Sequence, residues 1–256
     1  TVEVTGNVTT GFAVKAEGDI IVNGVVEGAT LVSGGNIVLK RGMQGMDRGM
    51  LQAEGNITAK FLENCKVRCK GMLKADAILH SDVECQENVD ILGKKGLING
   101  GSLSTYADVH ATTLGSTMGA STKIKIISDK ELIIRANEIK EEVENKEETI
   151  RKIDEVVNRV KGQLASNQEV LPEQMNYLKQ ATVNKPLLVK QIRELREERE
   201  KLLVRIEKNK HSCIRVEGAV YSGIDITVKD VSKIQHEQVS HCRFVRDGAD
   251  VRIVGL

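Results

Sequence analysis

The first half of the chain alternates apolar and polar residues in short runs, and similar runs return every 16 to 20 residues. Each run has a marker residue, usually a glycine followed by Asn or Asp, at Gly18, Gly35, Gly55, Gly71, Glu87 and Ala107. The position two residues before the marker is always small: Ala16, Ser33, Ala53, Cys69, Cys85 and Thr105. The position two residues after it is always aliphatic: Ile20, Ile37, Ile57, Leu73, Val89 and Val109.

This repeat predicts a β-solenoid. Alternation is typical of strands with one buried side, and the short period suits one coil of a parallel β-helix, whose coils stack about 4.8 Å apart. A β-sandwich of short hairpins is the alternative, but its strands return about every 8–12 residues and need no fixed column of small residues. We therefore predict that residues 1–127 form the main part of a single-stranded parallel β-helix.

Three segments depart from the basic repeat and are predicted to be surface loops. The two longest units contain Lys40–Gly49 and Gly93–Gly101, and Thr113–Thr122 follows the last clear run. Insertions in a solenoid form loops on one face, which is often the binding face. The candidate interaction residues in these loops are Lys40, Arg41, Arg48, Lys94, Lys95 and Met118. The basic residues among them suggest one patch, and scattered charge that keeps the protein in solution is the simpler alternative.

A helical pattern interrupts the β pattern from Ser128 onwards. Ser128 and Glu131 have the spacing of a helix-capping box, and apolar residues then recur alternately every four and three positions. Such a heptad seam predicts a coiled coil. The seam residues are Leu132, Ile139, Val143, Ile150, Ile153 and Val157 in the first helix, and Leu188, Ile192, Leu195 and Leu202 in the second. We predict an antiparallel coiled-coil hairpin over residues 128–210.

A few residues disturb the hairpin pattern. The polar segment Ala165–Gln168 predicts the turn between the helices, and Pro172 suits the first turn of the second helix. Pro186 is predicted to kink that helix or to split it near Asn184. Polar residues occupy three seam positions: Lys146, Lys185 and Arg199. Polar seam residues can specify register and partner at a cost in stability.

The alternating pattern returns after the hairpin. Gly218–Val228 is similar to Gly24–Val32, so the hairpin is predicted to interrupt the solenoid rather than to follow it. The last residues alternate again and predict a terminal cap, which solenoids require. Residues 211–256 are therefore predicted to return to the solenoid and to cap it.

Composition and charge narrow the class of protein. The net charge is +1, aromatic residues make up 2% of the chain and Trp is absent. We therefore expect an aliphatic core and no general attraction to nucleic acid or to an anionic membrane. Five cysteines, an odd number, do not suggest a secreted disulfide framework. Without a signal peptide or a stretch of membrane-spanning length, the sequence predicts a cytoplasmic protein with no membrane span, and its start in mid-pattern suggests a fragment.

No residue pattern predicts a catalytic, metal or cofactor site. Cys65, Cys69 and Cys85 fall in columns of small residues and are interpreted as buried apolar side chains rather than as zinc ligands. The His and Cys residues at 241–242 are neighbours on a predicted strand, so their side chains point to opposite faces. No phosphate-binding glycine motif is present, and no aromatic residues alternate with the basic ones as in single-strand nucleic-acid binders.

An enzyme that acts on a carbohydrate or a nucleotide is the alternative function. It would need clustered carboxylates beside the basic loops. The recurring acidic residues are Asp19, Asp90 and Asp108. Turn geometry explains Asn and Asp at such corner positions, so we do not assign them a catalytic role.

Five stretches carry a resemblance to a known family: VKAEGDIIVNGVVEGATLVSGGNIVLKRGMQG, GNITAKFLEN, ADAILHSDV, GKKGLINGG and TLGSTMG. In this order they resemble the flagellar assembly protein A family of bacteria over nearly the whole chain. The resemblance implies a right-handed β-solenoid with a coiled-coil segment, and a role in flagellar assembly or polar organisation through protein partners. Thr117 replaces the proline of the family's Gly-Ser-Pro-Met-Gly stretch, which removes a constraint on that loop. The resemblance implies no catalytic residues.

Together these features predict a non-enzymatic scaffold. The solenoid would be a rigid body, and the hairpin would be an arm for a protein partner or for a second copy of the chain. A homo-oligomer could form through the hairpin or through an end of the solenoid.

Overall fold

The structure is a computed structural model that describes residues 1–166, 169 and 171–256. The described residues form two compact units. The first unit comprises residues 1–129 and 208–256, and the second comprises residues 130–207. The chain thus leaves the first unit once and returns to it.

The first unit is a parallel β-solenoid of about seven turns, as the repeat predicts. Each coil contributes short strands with one buried side, and the chain turns at a corner between them. Before the helices, the strands are β1 (Val2–Val4), β2 (Ala13–Ala16), β3 (Ile20–Val22), β4 (Val25–Glu27), β5 (Thr30–Ser33), β6 (Ile37–Ala53), β7 (Ile57–Cys69), β8 (Leu73–Lys74), β9 (Ala77–Cys85), β10 (Val89–Ile91), β11 (Leu97–Thr105), β12 (Val109–Ala111), β13 (Thr113–Leu114) and β14 (Thr122–Ile126).

Corresponding strand positions of successive coils pair in register and form three faces. The first face contains the predicted aliphatic column, in which the paired residues are Ile20, Ile37, Ile57, Leu73, Val89, Val109 and Ile214. The second face contains Val26, Met43, Leu62, Ile78, Ile98 and Leu114. The third face contains Leu31, Leu51, Val67, Val83, Leu103 and Ile124. These side chains are at most 2% exposed, so the three columns form one aliphatic core.

Three corners join the faces. The first corner leads from the first face to the second within one coil, and the second corner leads from the second face to the third. The third corner leads from the third face into the next coil and contains the marker residues.

The third corner explains the column of small residues. Most of these residues carry a hydroxyl or a thiol, which donates a hydrogen bond to the carbonyl oxygen of the marker residue one coil earlier. The pairs are Ser33 with Gly18 at 2.8 Å, Cys69 with Gly55 at 3.2 Å, Cys85 with Gly71 at 3.0 Å and Thr105 with Glu87 at 2.6 Å. The column is therefore small because it packs inside a corner, and often polar because it satisfies a corner carbonyl.

The Asn and Asp residues that follow the markers connect neighbouring coils at the same corner. Asp19 Oδ1 accepts a hydrogen bond from the backbone N–H of Asn36 at 2.7 Å, and Asn36 Oδ1 accepts one from Asn56 at 2.8 Å. Asp108 Oδ1 accepts one from the N–H of Cys213 at 2.8 Å, after the chain has returned from the helices. The ladder of corner side chains therefore continues across the insertion.

The prediction that Lys40–Gly49 forms a loop is wrong, because strand β6 continues through these residues. The register of β6 against β7 shows where the extra residues go. The chain takes three steps from Leu39 to Gly42 where its partner takes two, and five steps from Gln44 to Gly49 where its partner again takes two. One extra residue is thus absorbed as a bulge at the first corner and three at the second.

The predicted loop Gly93–Gly101 is also too long. Leu97–Gly101 belongs to strand β11 and pairs with β9, so the loop is confined to residues 92–96 at the first corner. Apolar residues within the segment, such as Ile98, are drawn into the core and extend the strand.

The second unit is a pair of helices that pack together. They are α1 (Lys130–Ala165) and α2 (Pro172–Asn209), the second of which ends in the first unit. Since α1 begins at Lys130, Asp129 rather than Ser128 flanks its first turn. Of the two outcomes predicted for Pro186, the split near Asn184 is wrong, because α2 is continuous through this residue, and the kink stays a prediction. Pro186 is exposed, so its ring needs no space in the seam. Asn167 and Gln168 of the predicted turn lie outside the described residues.

The chain then completes the solenoid with β15 (Ile214–Val220), β16 (Ile224–Val228), β17 (Val231–Gln235), β18 (Val239–Asp247) and β19 (Asp250–Gly255). β15 and β16 continue the parallel stack, whereas β17, β18 and β19 run antiparallel to their partners. Phe244 and Val251 from these last strands are fully buried. The C-terminal strands therefore cover the last coil with apolar side chains of the same chain.

Candidate interaction surfaces

Four of the predicted interaction residues lie at the first corner of the solenoid. Lys40 and Arg41 occupy the bulge between the first and second faces, and Lys94 and Lys95 occupy the loop at residues 92–96. All four are exposed. The two sites are three coils apart, which corresponds to roughly 14 Å at the usual spacing between strands.

Two further lysines, which the sequence analysis missed, lie on the same side between these sites. Lys60 follows Ala59 as Lys40 follows Leu39, and Ala59 and Leu39 pair in register. Lys74 ends strand β8 in the next coil, where it lies on the outer side of the first face and pairs with Thr58 and Asp90. The repeat alignment could have revealed Lys60, because it occupies the same column as Lys40. Lys74 occupies another column, that of Thr58 and Asp90. We name the combined surface the basic edge, with the residues Lys40, Arg41, Lys60, Lys74, Lys94 and Lys95.

The basic edge carries positive charge that the chain itself does not neutralise. Throughout the described residues, none of its six side chains takes part in an ion pair, whereas exposed ion pairs are common elsewhere on this molecule. The nearby carboxylate of Asp90 instead contacts His110 Nδ1 at 3.2 Å. The positive potential along this edge is therefore available to a ligand.

The loop at residues 92–96 is held tightly at both ends. A Cβ atom at Gly93 would lie 1.9 Å from Asp76 Oδ1, and one at Gly96 would lie 2.1 Å from Thr112 Oγ1. Gly96 also has a φ angle of +53°, which favours glycine, and its carbonyl accepts a hydrogen bond from the N–H of Thr113 at 2.8 Å. Lys94 and Lys95 are thus presented by an anchored turn.

The outer side of the second face is apolar beside the basic edge. Phe61 pairs with Ala77, and Ala77 pairs with Leu97 on the next coil. Phe61 and Leu97 point away from the core and are partly exposed. A row of apolar side chains therefore borders the basic edge.

The other two predicted residues, Arg48 and Met118, lie at the second corner. Arg48 belongs to the three-residue bulge of β6, and Met118 is 93% exposed in the turn between β13 and β14. Gly115 and Gly119 flank this turn with φ angles of +76° and +69°. The six predicted residues therefore do not form one patch but belong to two separate corners.

Within the second unit, six of the ten predicted seam residues belong to one apolar cluster of the two helices: Ile139, Val143, Ile150, Ile192, Leu195 and Leu202. Of these, Ile139, Val143 and Ile192 are buried. The other predicted seam residues are buried or half-buried: Leu132, Ile150, Ile153, Val157, Leu188, Leu195 and Leu202. The antiparallel pairing brings the start of α1 beside the end of α2, as the contact between Arg135 and Glu198 shows.

The polar seam residues find partners on the opposite helix. Lys146 Nζ donates a hydrogen bond to Gln191 Oε1 at 3.1 Å, and Arg199 Nε donates one to the carbonyl oxygen of Ala136 at 3.2 Å. Lys185 pairs with Asp154. These contacts favour one register of the hairpin itself.

The hairpin also exposes aliphatic side chains that its seam does not use. Near its base, Ile134 is 57% and Val204 is 64% exposed, and farther along α2 Val183 is 72% exposed. Val189 borders a shallow groove of about 570 Å³ whose floor includes Ile150 and whose rim is charged. These side chains give the hairpin an outer surface with apolar character.

A groove of about 340 Å³ at the third corner differs from the basic edge because its charges are paired. Arg68 contacts Glu84 at 3.3 Å, and Lys70 contacts Glu54 at 2.6 Å. The groove therefore lacks the excess charge that would attract an ionic ligand.

The five cysteine thiols are shielded from solvent, which makes them poor metal ligands and nucleophiles. All five thiols are buried and free. Burial raises the pKa of Cys65 to about 11 and raises the pKa of Cys213 and Cys242, since a buried thiolate lacks solvation. Across the described ranges, no group of three or more His, Cys, Asp or Glu side chains is placed to hold a metal ion.

The corner carboxylates serve structural contacts. Asp19 binds the backbone of the next coil, as does Asp108, and Asp90 contacts a histidine. The geometry thus offers no support for the alternative of a carbohydrate- or nucleotide-acting enzyme built on these residues.

Comparison with known proteins identifies one relationship. A family model described as the Flagellar Assembly Protein A beta solenoid domain matches residues 1–251. No curated protein and no solved structure matches the chain. None of the helices in the described part of the chain is long and apolar enough to cross a membrane.

Proposed function

This chain belongs to the Flagellar Assembly Protein A β-solenoid family, and we propose that it acts in flagellar assembly as a non-enzymatic scaffold in the cytoplasm. In this proposal the solenoid is the rigid body, and the helical hairpin binds a protein partner or a second copy of the chain. The stacked coils support the first part, because in-register ladders fix the positions of all surface residues relative to the core.

The observation that carries the hairpin's role is its exposed aliphatic surface. A helical hairpin that served only as a spacer would bury its apolar residues in the seam and expose polar ones. Here Ile134, Val183 and Val204 remain more than half exposed although the seam is complete. Exposed aliphatic side chains along the hairpin can supply the apolar contacts of a protein interaction site.

The test replaces two of these residues by glutamate in the full chain, Ile134→Glu with Val204→Glu. A matched control carries Asn158→Glu with Gln180→Glu, which are exposed polar positions on the same helices. We expect the first variant to reduce flagellation in cells and to lose its partner, with unchanged helix content by circular dichroism. Loss of self-association in light scattering would identify that partner as a second copy. Normal flagellation with the first variant would contradict the proposal.

A further inference from the structure

We propose that the basic edge binds an acidic segment of a partner protein in an extended conformation. The inference deepens the proposed scaffold function and rests on it, since it assigns the partner chemistry of one surface of the solenoid. It depends on the charge, the placement and the surroundings of six side chains.

The first argument is the lack of internal neutralisation. All six basic side chains of the edge are exposed, and within the described part of the chain none has an ion pair. Other exposed charges of the solenoid are paired across coils, as Arg68 is with Glu84 and Lys70 with Glu54. Unpaired like charges on adjacent coils repel one another, so a ligand of opposite charge is stabilised here.

The second argument is where the extra residues of the repeat lie. The coils that contain Lys60 and Lys74 turn the first corner without any insertion, so the fold does not require one there. The two insertions that flank these coils in the stack carry adjacent basic residues, Lys40 with Arg41 and Lys94 with Lys95. The extra residues at the same corner in other coils are not basic, as Asn23 and Gly24 after Val22 show. The anchored turn between Gly93 and Gly96 keeps the second pair in a fixed position.

The third argument is dimensional. The edge extends over three coil spacings, roughly 14 Å. An extended peptide places side chains of one side about 6.8 Å apart, so about three carboxylates can reach the edge at once. The stacked lysines therefore match a short extended segment of about five residues.

The surroundings favour a protein segment over a polyphosphate. Phe61 and Leu97 form a partly exposed apolar row beside the edge, which can pack against apolar side chains of a peptide but gains nothing from phosphate. Asp76 and Asp90 lie among the basic residues and would repel a continuous row of phosphates. An acidic segment with apolar residues can pack against this row, and its carboxylates, about 6.8 Å apart on one side, can reach the lysines without lying opposite either aspartate.

The experiment measures binding of a fluorescein-labelled ten-residue peptide of alternating Glu and Val by fluorescence anisotropy. The full chain is compared with the triple variant Lys60→Glu, Lys94→Glu, Lys95→Glu. The matched control is Lys66→Glu, Lys123→Glu, Lys125→Glu, which makes the same charge change on the third face at exposed residues. We expect the dissociation constant to rise at least about tenfold in the first variant and less than about threefold in the control. Added salt should weaken binding by the unmodified chain.

Three results would overturn the inference. The first is that the peptide does not bind. The second is that both variants lose binding equally, which would mean that affinity depends on the net charge of the protein and not on the basic edge. The third is that a ten-nucleotide DNA or phosphatidylglycerol vesicles bind more tightly than the peptide through the same lysines, which would make the ligand a polyphosphate or a membrane. Circular dichroism confirms that each variant is folded. Because the Ile134 and Val204 variants keep the basic edge, failure of the scaffold proposal and failure of this one can be told apart.

Discussion

The side-chain amide of Asn209 donates a hydrogen bond to Asp129 Oδ1 at 3.1 Å, and both residues are buried. Asp129 is the last residue of the first unit before the helices, and Asn209 is the last residue of α2, where the chain has already returned to that unit. The pair therefore joins the outgoing and returning chain, so that the solenoid is interrupted in sequence but closed in space. Lys229 contacts the same carboxylate at 3.7 Å.

We predict that Asp129→Ala lowers the free energy of unfolding by about 1–3 kcal/mol, because it leaves a buried amide without an acceptor. Asp129→Asn should cost less, since it retains an acceptor and loses only the contact with Lys229. Urea denaturation followed by circular dichroism measures both effects. Asp82→Ala is the control, because Asp82 is exposed, and an equal loss in that variant would contradict the role of the pair.

The small-residue column provides a second prediction. Ser33→Ala should reduce the stability of the solenoid by about 1 kcal/mol, because the hydroxyl no longer binds the carbonyl of Gly18 while Ala fits the column, as Ala53 does. Ser102→Ala removes an exposed hydroxyl that donates to Asp82 at 2.8 Å and should cost less than about 0.5 kcal/mol. Urea midpoints of the two variants at one pH provide the comparison, and the reverse order would count against the corner hydrogen bond.

The raised pKa of Cys65 predicts a loss of stability in alkali. Burial raises the pKa of this thiol from 9.0 to about 11 in the folded protein, so the unfolded chain releases the proton first as the pH increases. The stability that this difference in pKa affects is therefore fully present below pH 9. The free energy of unfolding falls as the pH rises from 9 to 11, by up to about 3 kcal/mol. Cys65→Ala should flatten the dependence of the unfolding free energy on pH in this range. An unchanged slope would mean that other groups cause the loss.

Two glycines in different surroundings should respond in opposite directions to alanine. A Cβ atom at Gly71 would lie 2.4 Å from Asn56 Oδ1 and 2.8 Å from the carbonyl of Gly55, so Gly71→Ala should destabilise the solenoid by about 2 kcal/mol or more. Gly162 lies in α1 with nothing within 4 Å of its Cβ position, so Gly162→Ala should stabilise the helix by about 0.5–1 kcal/mol. Thermal unfolding of both variants tests the pair, and a tolerated Gly71→Ala would refute the close approach of the coils.

The ladders of the solenoid could be predicted from residues such as Ile20, Ile37 and Ile57 because of the way parallel coils stack. In-register stacking makes the period of the sequence equal to the length of a coil, so a column in the aligned repeat becomes a column in space. The hairpin could be predicted for a similar reason, since a heptad period identifies the buried side of a helix without knowledge of its partner.

The insertions could not be placed in this way. The extra residues around Arg41 and Arg48 read as one loop in the sequence, whereas pairing with β7 divides them into two bulges at different corners. Pro186 was expected to kink its helix or to split it, but α2 is continuous through this residue. Hydrogen bonds between distant segments decided the first of these outcomes.

By itself, the sequence determined the coil, its aliphatic core and the presence of a helical insertion, because each depends on a periodic pattern that local chain geometry converts into a buried side. The tertiary structure alone decided which charges remain without partners. The side of a coil on which a residue lies depends on how many residues each corner absorbs. For this reason only the structure could place Lys60 and Lys94 on the same edge and Met118 at a different corner.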